Sequence, residues 1–269
     1  MLKFSANISM LFTEVAMSER FQAAKQQGFQ AVEMQFPYSL SAESIAEALH
    51  EHDLQLVLFN VAADDLLQGG AGLACVPEKQ AQFQEAVAQA LAYAKLLRPQ
   101  AINVLPGRCV QANRYDEYMQ TFKDNLLFAE QAFTAVGVKT VFEAINTLDM
   151  PGFMVSTGSQ MLDILEQLNV ANLSMQFDIY HSQMMAIDPV AFIRRHADKI
   201  GHIQFADCPG RGQPGTGQID FQRLFSEIDS SAYTGWLGAE YKPIGSTSSS
   251  LAWFGDMNIA IDKHVSAKF

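Results

Sequence analysis

The sequence predicts an α/β fold in which eight parallel strands close into a single (β/α)8 barrel of the TIM type. Eight short apolar runs alternate with longer segments of helical period, and the runs are apolar on both faces, as strands covered by helices are. The 269 residues also suit one α/β barrel, which typically takes about 250, so we expect one domain over 1–269. A doubly wound open sheet is the alternative, but no G-x-G-x-x-G follows the first strand.

The eight predicted strands are short and rich in β-forming residues. In chain order they are KFSANIS, AVEMQ, LQLVLFN, AINVLPG, KTVFEAIN, LSMQFDIYH, GHIQFAD and GWLGAEYKP. Two of the segments between them show the i, i+3, i+4, i+7 spacing of a helix with one buried stripe. The apolar positions are Met161, Ile164, Leu165 and Leu168 in one helix, and Phe221, Leu224, Phe225 and Ile228 in the other.

Helix boundaries are marked by capping residues. Residues suited to begin helices are Ser41, Asp220 and the pair Asp188-Pro189, and residues suited to end them are Gly28 and Gly137. The polar run STSSS at 246–250 predicts a loop before a last helix. Residues 209–217 contain four glycines and two prolines, which predicts a kinked loop whose backbone approaches a small ligand.

Composition excludes several classes of protein. With 49% hydrophobic and 17% charged residues and no apolar run of about 18, the chain is expected to be soluble and not to bind membranes. Its start lacks the features of an export signal, so we expect a cytoplasmic protein. A net charge of -11 argues against nucleic acid as a partner. Three widely spaced cysteines predict neither disulfides nor a zinc site.

Four polar residues stand between apolar neighbours near the ends of the last four strands. They are Glu143, Asp178, Gln204 and Glu240. Because side chains alternate along a strand, these four point away from the helices and into the barrel, at the mouth where TIM barrels carry their chemistry. Glu33 also points inward and is expected to pair with a cation, while His202 is expected to be a hydrogen-bonded core histidine.

Three carboxylates in one cavity require compensation, because burying unpaired charges is costly and like charges raise each other's pKa. A divalent cation held by Glu143, Asp178, Gln204 and Glu240 would supply it. Their all-oxygen ligands suit Mg²⁺ or Mn²⁺ better than zinc. The alternative is that each carboxylate pairs with a lysine or arginine inside the barrel.

The chain resembles the hydroxypyruvate isomerase family of the xylose isomerase-like barrels. The resemblance covers essentially the whole chain and is carried by SANISMLF, FPY, EAIN, DMPGF, DIYH, GHIQFAD, PGR, PGTGQI and GWLGAEYKP. It implies an isomerase that interconverts hydroxypyruvate and tartronate semialdehyde. It also implies that Glu143 and Glu240 are the proton donor and acceptor and hold the metal with Asp178 and Gln204. The chain departs from the family at Gly212-Gln213, where the family often has His-Glu.

Such an isomerase needs two acid/base groups and no nucleotide cofactor. An anionic substrate needs a cation, for which Arg211 in the glycine-rich loop is the first candidate and Lys242, two residues beyond Glu240, the second. His181, three residues after Asp178, is placed to bond a substrate hydroxyl or to orient a ligand. Formation of a homo-oligomer is left open.

Other functions share the same architecture. A 2-oxo-tetronate isomerase would act on a four-carbon acid, and a sugar-acid epimerase or a dehydratase could use the same metal and glutamates. An endonuclease of the IV type would be expected to have zinc-binding histidines and a basic surface, and none of the six histidines belongs to the four-residue set. A binding module for a hydroxy acid would bind ligand without exchanging a carbon-bound proton.

Overall fold

The computed structural model describes residues 2–253, and it confirms the predicted barrel. Eight parallel strands pair in chain order, and the last pairs with the first to close the sheet. The strands are β1 (Lys3–Asn7), β2 (Ala31–Met34), β3 (Gln55–Asn60), β4 (Ala101–Val104), β5 (Lys139–Glu143), β6 (Leu173–Asp178), β7 (Ile200–Phe205) and β8 (Trp236–Ala239). All eight predicted runs therefore contain a strand.

Helices follow the strands and cover the outside of the barrel. They are α1 (Arg20–Gln26), α2 (Ala42–Glu51), α3 (Gln80–Leu97), α4 (Tyr115–Thr134), α5 (Gly158–Leu168), α6 (Ile179–Met184), α7 (Pro189–His196), α8 (Phe221–Ser230) and α9 (Thr247–Ser250). The apolar stripe predicted for α8 is buried at all four positions. Among residues 2–253, no helix is both long enough and apolar enough to cross a bilayer.

The predicted helix boundaries are also confirmed. Ser41 accepts a hydrogen bond from the backbone nitrogen of Ser44 at 3.1 Å, and Asp188 and Asp220 cap α7 and α8 in the same way. Gly28 and Gly137 have φ angles of +92° and +74°. These angles are easy for glycine and strained for residues with a Cβ atom, which explains glycine at both helix ends.

The segment 246–250 differs from its prediction. Instead of a loop, Ser246 caps the short helix α9 by accepting a hydrogen bond from Ser249 at 3.2 Å. Glu14, which follows β1, bonds to the backbone nitrogen and hydroxyl of Thr247 and ties this helix to the first strand. Serine is a favoured N-cap residue, and the carboxylate of Glu14 bonds to the first turn of α9. The polar run therefore begins a helix and does not form a loop. The sequence also predicts a last helix after residue 250, and this prediction lies outside the described residues, which end at residue 253.

Candidate active site

A cavity of about 100 Å³ opens at the carboxyl ends of the strands. Its polar wall contains Glu143, Gln204 and Glu240 from the predicted set, together with His181 and Arg211. The remaining member, Asp178, lies beside this wall and is 3% exposed. Parallel strands in one barrel end on the same side, which is why residues far apart in the chain meet here.

Glu240 follows β8, and its buried carboxylate accepts three hydrogen bonds from other side chains. Its Oε1 accepts hydrogen bonds from Asn7 at 2.9 Å and from Gln35 at 3.0 Å, and its Oε2 accepts one from Arg211. Burial raises the pKa of Glu240 above its ordinary value, and Arg211 acts against that rise. The sequence left two ways to compensate the buried negative charges, a divalent cation or an arginine or lysine inside the barrel. At Glu240 the structure has the arginine.

Glu143, at the end of β5, has less support for a negative charge. Its Oε2 accepts a hydrogen bond of 3.2 Å from Asn103, and the side chain has no bonded cation among the described residues. Burial raises the pKa of Glu143 well above its ordinary range, and the nearby charges of Glu240 and Asp178 raise it further. The two glutamates therefore differ in environment: burial raises the pKa of both, but Arg211 bonds Glu240 and opposes the rise there, whereas Glu143 has no bonded cation in the described chain and its pKa is raised well above the ordinary value.

Asp178 ends β6 and begins α6. Its Oδ1 caps the helix by accepting the backbone N–H of His181 at 3.0 Å, while Oδ2 is buried without a hydrogen-bond partner in the described chain. Burial raises the pKa of Asp178 to about 6, with Arg211, 3.8 Å away, opposing the rise. A buried carboxylate oxygen without a partner is costly, so this atom is suited to bind a cation.

The predicted metal ligands are only partly brought together. Ligand atoms of Glu143, Asp178 and His181 lie within 4.8 Å of one another. Glu240 is turned toward Arg211, and the Oε1 of Gln204 accepts a hydrogen bond of 2.6 Å from Gln176. The Oδ2 of Asp178, which accepts no hydrogen bond in the described chain, and the neighbouring carboxyl group of Glu143 fit a hard divalent cation, with oxygen donors as the sequence predicts.

Glu33 and His202 form a buried layer beneath the cavity and are joined to its wall by Gln204. Glu33 is fully buried and accepts hydrogen bonds of 2.7 Å from Gln204 and 3.1 Å from Asn7, and it lies 2.7 Å from a ring nitrogen of His202. His202 is thus a hydrogen-bonded core residue, as expected, and the partner of Glu33 is this histidine. Gly238 faces the carboxylate, where a Cβ atom would lie 2.4 Å from an oxygen of Glu33.

The glycine-rich loop after β7 is organised by Asp207, a residue that the sequence analysis did not identify. Its fully buried carboxylate accepts backbone hydrogen bonds of 2.8 to 3.1 Å from Cys208, Gly215, Gly217 and Ile219. The backbone of this loop therefore converges on a carboxylate of the protein, and its predicted approach to a ligand stays a prediction. The sequence signal that could have identified Asp207 is an aspartate directly after a strand and ahead of several glycines.

This loop places Arg211 over the cavity. Arg211 has a φ angle of +56°, an uncommon backbone conformation for a residue with a side chain. Its guanidinium carbon lies 5.3 Å from the ring centre of Tyr180, and its Nε is buried without a hydrogen-bond partner within the described residues. Burial disfavours the charge, but the carboxylates, Glu240 first, raise the pKa of Arg211 overall. The guanidinium thus retains a donor besides the one that bonds Glu240.

The structure does not bring Lys242 to the cavity. Its side chain is exposed and is absent from the cavity wall. The prediction extended strand alternation to residue 242, but β8 ends at Ala239. Beyond that point the backbone nitrogen of Lys242 donates to the carbonyl of Arg211 at 2.7 Å, so the chain follows the loop and the alternation is lost.

His181 lies on α6 and contacts the loop after β5. Its Nδ1 is 2.7 Å from the amide nitrogen of Asn146, and its Nε2 is 3.9 Å from Asp178. Burial, reinforced by Arg211, lowers the pKa of His181 to about 3. The imidazole is therefore neutral at physiological pH, and it faces the cavity as the sequence analysis expected.

Three asparagines at the ends of the first strands were missed. Asn7, Asn60 and Asn103 end or nearly end β1, β3 and β4, and each is buried. Each stands between two apolar residues, which is the same signal that identified the four polar residues of the later strands. The other wall of the cavity is apolar and is formed by Phe36, Leu58, Leu67, Leu105, Ile145 and Met150.

Comparisons with known proteins agree with this architecture. Residues 21–257 match the family model described as xylose isomerase-like TIM barrel. The chain is 39% identical to hydroxypyruvate isomerase of Escherichia coli (strain K12) over 253 residues, which cover 94% of this chain and 98% of that protein. It is 38% identical to 2-oxo-tetronate isomerase of Cupriavidus necator, with 94% of this chain and 97% of that protein covered.

A solved structure extends the likeness to three dimensions. It is described as AP endonuclease, family 2, from Brucella melitensis, and it superposes with a TM-score of 0.91 at 34% sequence identity. The match covers 95% of this chain and 99% of that one. The family model and the two isomerases that match nearly the whole chain show that the chain is an isomerase and belongs to the hydroxypyruvate isomerase family of the xylose isomerase-like TIM barrels.

Proposed function

We propose that the chain interconverts hydroxypyruvate and tartronate semialdehyde by proton transfer between two carbon atoms. The observation that carries this proposal is the pairing of Glu143 and Glu240 in one cavity with different environments. Arg211 bonds Glu240 and opposes the rise of its pKa, whereas the pKa of Glu143 is raised well above its ordinary value; on this basis we assign Glu240 as the base and Glu143 as the acid. A base and an acid on one substrate are the two groups that such an isomerisation needs.

The size of the cavity supports a small substrate. Its volume of about 100 Å³ is well below the roughly 300–1,000 Å³ of sites for larger ligands. A three-carbon acid suits this volume. Because one wall of the cavity is apolar, the substrate would make most of its polar contacts with the opposite wall. The net charge of -11 argues against nucleic acid as the substrate.

The proposed reaction moves one proton between neighbouring carbons. Glu240, as the base, takes a proton from C3 of hydroxypyruvate, and the electron pair of that bond forms the C2–C3 double bond of an ene-diolate. Glu143, as the acid, delivers a proton to C2, while the hydroxyl proton passes from the oxygen on C3 to the oxygen on C2. The product carries its aldehyde at C3 and its hydroxyl at C2. Glu240 then gives its proton to water and Glu143 takes one from water, so the enzyme is restored and no atom or electron is gained or lost.

Arg211 and His181 are proposed to bind the substrate. Arg211 supplies positive charge near three buried carboxyl groups, those of Glu240, Asp178 and Glu143, which would otherwise repel an anion. The guanidinium lines the cavity, and its buried Nε has no hydrogen-bond partner in the described chain, so Arg211 has donor capacity beyond its bond to Glu240 for a substrate carboxylate. His181, held neutral by burial, would donate to an oxygen of the substrate. Lys242 is not included, because its side chain is exposed.

A divalent cation, Mg²⁺ or Mn²⁺, is proposed to bind beside Asp178. Asp178 would hold it through Oδ2, and Glu143, as the acid, would bind it through the oxygen that does not carry the proton. The other two predicted ligands are Gln204 and Glu240, whose oxygens are engaged in other hydrogen bonds in this structure. When bound, such an ion supplies Lewis-acid stabilisation of negative charge that develops on oxygen. The proton transfers themselves are assigned to the glutamates.

A four-carbon substrate is the second candidate. The chain is 38% identical to a protein named 2-oxo-tetronate isomerase, close to the 39% for the hydroxypyruvate isomerase. The two acids differ by one hydroxymethylene group, and the same glutamates could serve both.

Proton NMR of the purified enzyme in D₂O decides between the two substrates. Each acid is incubated separately with Mg²⁺ or Mn²⁺, and both product formation and deuterium at the reacting carbons are followed. We expect turnover of hydroxypyruvate with solvent deuterium in the product, because the glutamates exchange their protons with water. Turnover of the four-carbon acid alone would transfer the proposal to that substrate, and binding without exchange would indicate a binding protein.

A further inference from the structure

Two N–H donors face the same nitrogen of His181. The side-chain nitrogen Nδ2 of Asn146 lies 2.7 Å from Nδ1 of the imidazole, and the backbone nitrogen of Asn146 lies 3.5 Å from it. Asn146 is fully buried and His181 is 3% exposed, so water does not take the place of these partners. A ring nitrogen that faces two donors has to be the acceptor.

The orientation of the Asn146 amide follows from its other contacts. Its Oδ1 accepts the backbone N–H groups of Leu148 at 3.1 Å and Asp149 at 2.8 Å, as in an Asx turn. Its Nδ2 donates to Oδ2 of Asp149 at 3.0 Å, and that carboxylate also accepts the hydroxyl of Tyr180 at 2.8 Å. If the amide were reversed, its NH₂ group would face the N–H groups of Leu148 and Asp149, and its oxygen would face the carboxylate of Asp149. Only the orientation described here therefore forms these hydrogen bonds.

We propose that Asn146 is a positioning residue that fixes His181 in the tautomer with its proton on Nε2. The ring then presents a hydrogen-bond donor to the cavity, and not a lone pair that could bind a metal. A proton on Nδ1, in the other neutral tautomer or in the imidazolium, would point at the N–H groups of Asn146. Which substrate oxygen receives the Nε2 donor rests on the proposed function, but the tautomer does not.

This assignment changes the interpretation of the acidic cluster. Glu143, Asp178 and His181 come within 4.8 Å of one another, as metal ligands do. A metal-binding histidine, however, normally donates its other ring N–H to a carboxylate or carbonyl, which keeps the lone pair for the ion. In His181 the other nitrogen faces donors, which is the opposite arrangement. We therefore place His181 outside the ligand set and leave the cation to oxygen atoms.

Long-range ¹H–¹⁵N correlation NMR of enzyme labelled with ¹⁵N-histidine measures the tautomer directly. The spectrum is recorded at pH 7 without metal or substrate, and His181 is assigned by the signals lost in His181→Asn. We expect Nδ1 at the position of an unprotonated nitrogen and Nε2 at that of an N–H. An Nδ1–H tautomer or an imidazolium would overturn the proposal, whatever the enzyme's activity.

Asn146→Asp tests the cause. Aspartate retains the oxygen that accepts from residues 148 and 149, but it replaces the donor that faces His181 with an acceptor. We expect the proton to move to Nδ1 and kcat for hydroxypyruvate to fall at least tenfold, with a smaller change in KM. The matched control is Asn172→Asp, since Asn172 donates to Thr134 and Val138 at the other end of β6. A folded Asn146→Asp protein that keeps the Nε2–H tautomer would refute the role of Asn146.

Metal binding gives a second readout besides activity. We expect His181→Asn to bind Mn²⁺ with the same stoichiometry as the parent, as measured by elemental analysis after gel filtration. Loss of Mn²⁺ from this variant would show that the imidazole is a ligand and would contradict the proposal. If the parent protein does not isomerise hydroxypyruvate, the proposed function fails, while the NMR spectrum still decides the tautomer.

Discussion

Arg211 donates a hydrogen bond to Glu240 inside the barrel, and the two side chains are 19% and 5% exposed. The loop after β7 thereby supplies the positive charge for a carboxylate carried at the end of β8. Because the same guanidinium is 3.8 Å from Asp178, its position determines the electrostatics of both acids. An anionic substrate would enter a site where this cation already stabilises a base.

We expect Arg211→Ala to reduce kcat/KM for hydroxypyruvate by roughly ten- to a hundredfold. The loss of a charged hydrogen bond to a substrate costs about 1.5–3 kcal/mol, and Glu240 also loses its bonded cation. Arg211→Lys should recover only part, because lysine lacks the two-pronged geometry. Steady-state kinetics measure the effect, with Arg195→Ala, exposed on α7, as the control. Unchanged kinetics in Arg211→Ala would exclude it from substrate binding.

Glu143→Gln and Glu240→Gln should each fold and each lose at least about a hundredfold in kcat, the usual contribution of a positioned acid or base. Circular dichroism and steady-state turnover measure folding and rate. Glu166→Gln, on the exposed face of α5, is the matched control and should retain the parent rate. Near-normal turnover in either buried variant would remove that residue from the proton-transfer pair.

Asp178→Asn should abolish the binding of one Mn²⁺ ion per chain. The substitution preserves the shape of the side chain but removes the negative charge of its orphaned oxygen. Elemental analysis of protein equilibrated with Mn²⁺ gives the occupancy, and Asp163→Asn on α5, where residue 163 is exposed, is the control. The same occupancy in Asp178→Asn and the parent would mean that the cation binds elsewhere.

Asp207→Asn should lower the free energy of unfolding by about 2–3 kcal/mol, because a charged acceptor for four backbone donors is lost inside the protein. Urea denaturation measures this change. The control is Asp198→Asn, whose carboxylate is 63% exposed beside Lys199. Since the loop also carries Arg211, we expect weaker substrate binding as well. A variant as stable as the parent would show that the loop does not depend on this carboxylate.

His181 should make stability sensitive to acid. Its pKa is lowered from 6.5 to about 3 in the folded protein, so the unfolded chain takes up the proton more readily. The stability associated with the neutral ring is therefore complete above pH 6.5 and is lost as the pH falls toward 3. Between pH 7 and pH 5 the parent should lose about 2 kcal/mol relative to His181→Asn.

Urea denaturation in metal-free buffer at both pH values measures this difference. The matched control is His50→Asn, which removes an exposed histidine from α2 and should leave the pH dependence close to that of the parent. Parallel stability curves for the parent and His181→Asn would contradict a depressed pKa.

The sequence alone was sufficient for the barrel and for most of the polar wall of the cavity. Strand and helix periods are local properties, so the eight strands and the capped helices could be predicted from neighbouring residues. Alternation along a strand likewise assigned Glu143 and Gln204 to the interior. Asn7, Asn60 and Asn103 also stand between apolar residues, so the same argument would have predicted that their side chains point into the barrel at the strand ends.

The tertiary structure alone decided which of these groups bond to each other. Alternation fails once a strand ends, so Lys242 could not be placed from its spacing to Glu240. The pairing of Arg211 with Glu240, and of Asn146 with His181, joins residues 29 and 35 positions apart. Such partners depend on distances across the barrel and on competition among several donors. The sequence lists the groups that can bond, but their partners are fixed only when the closed barrel brings them within reach.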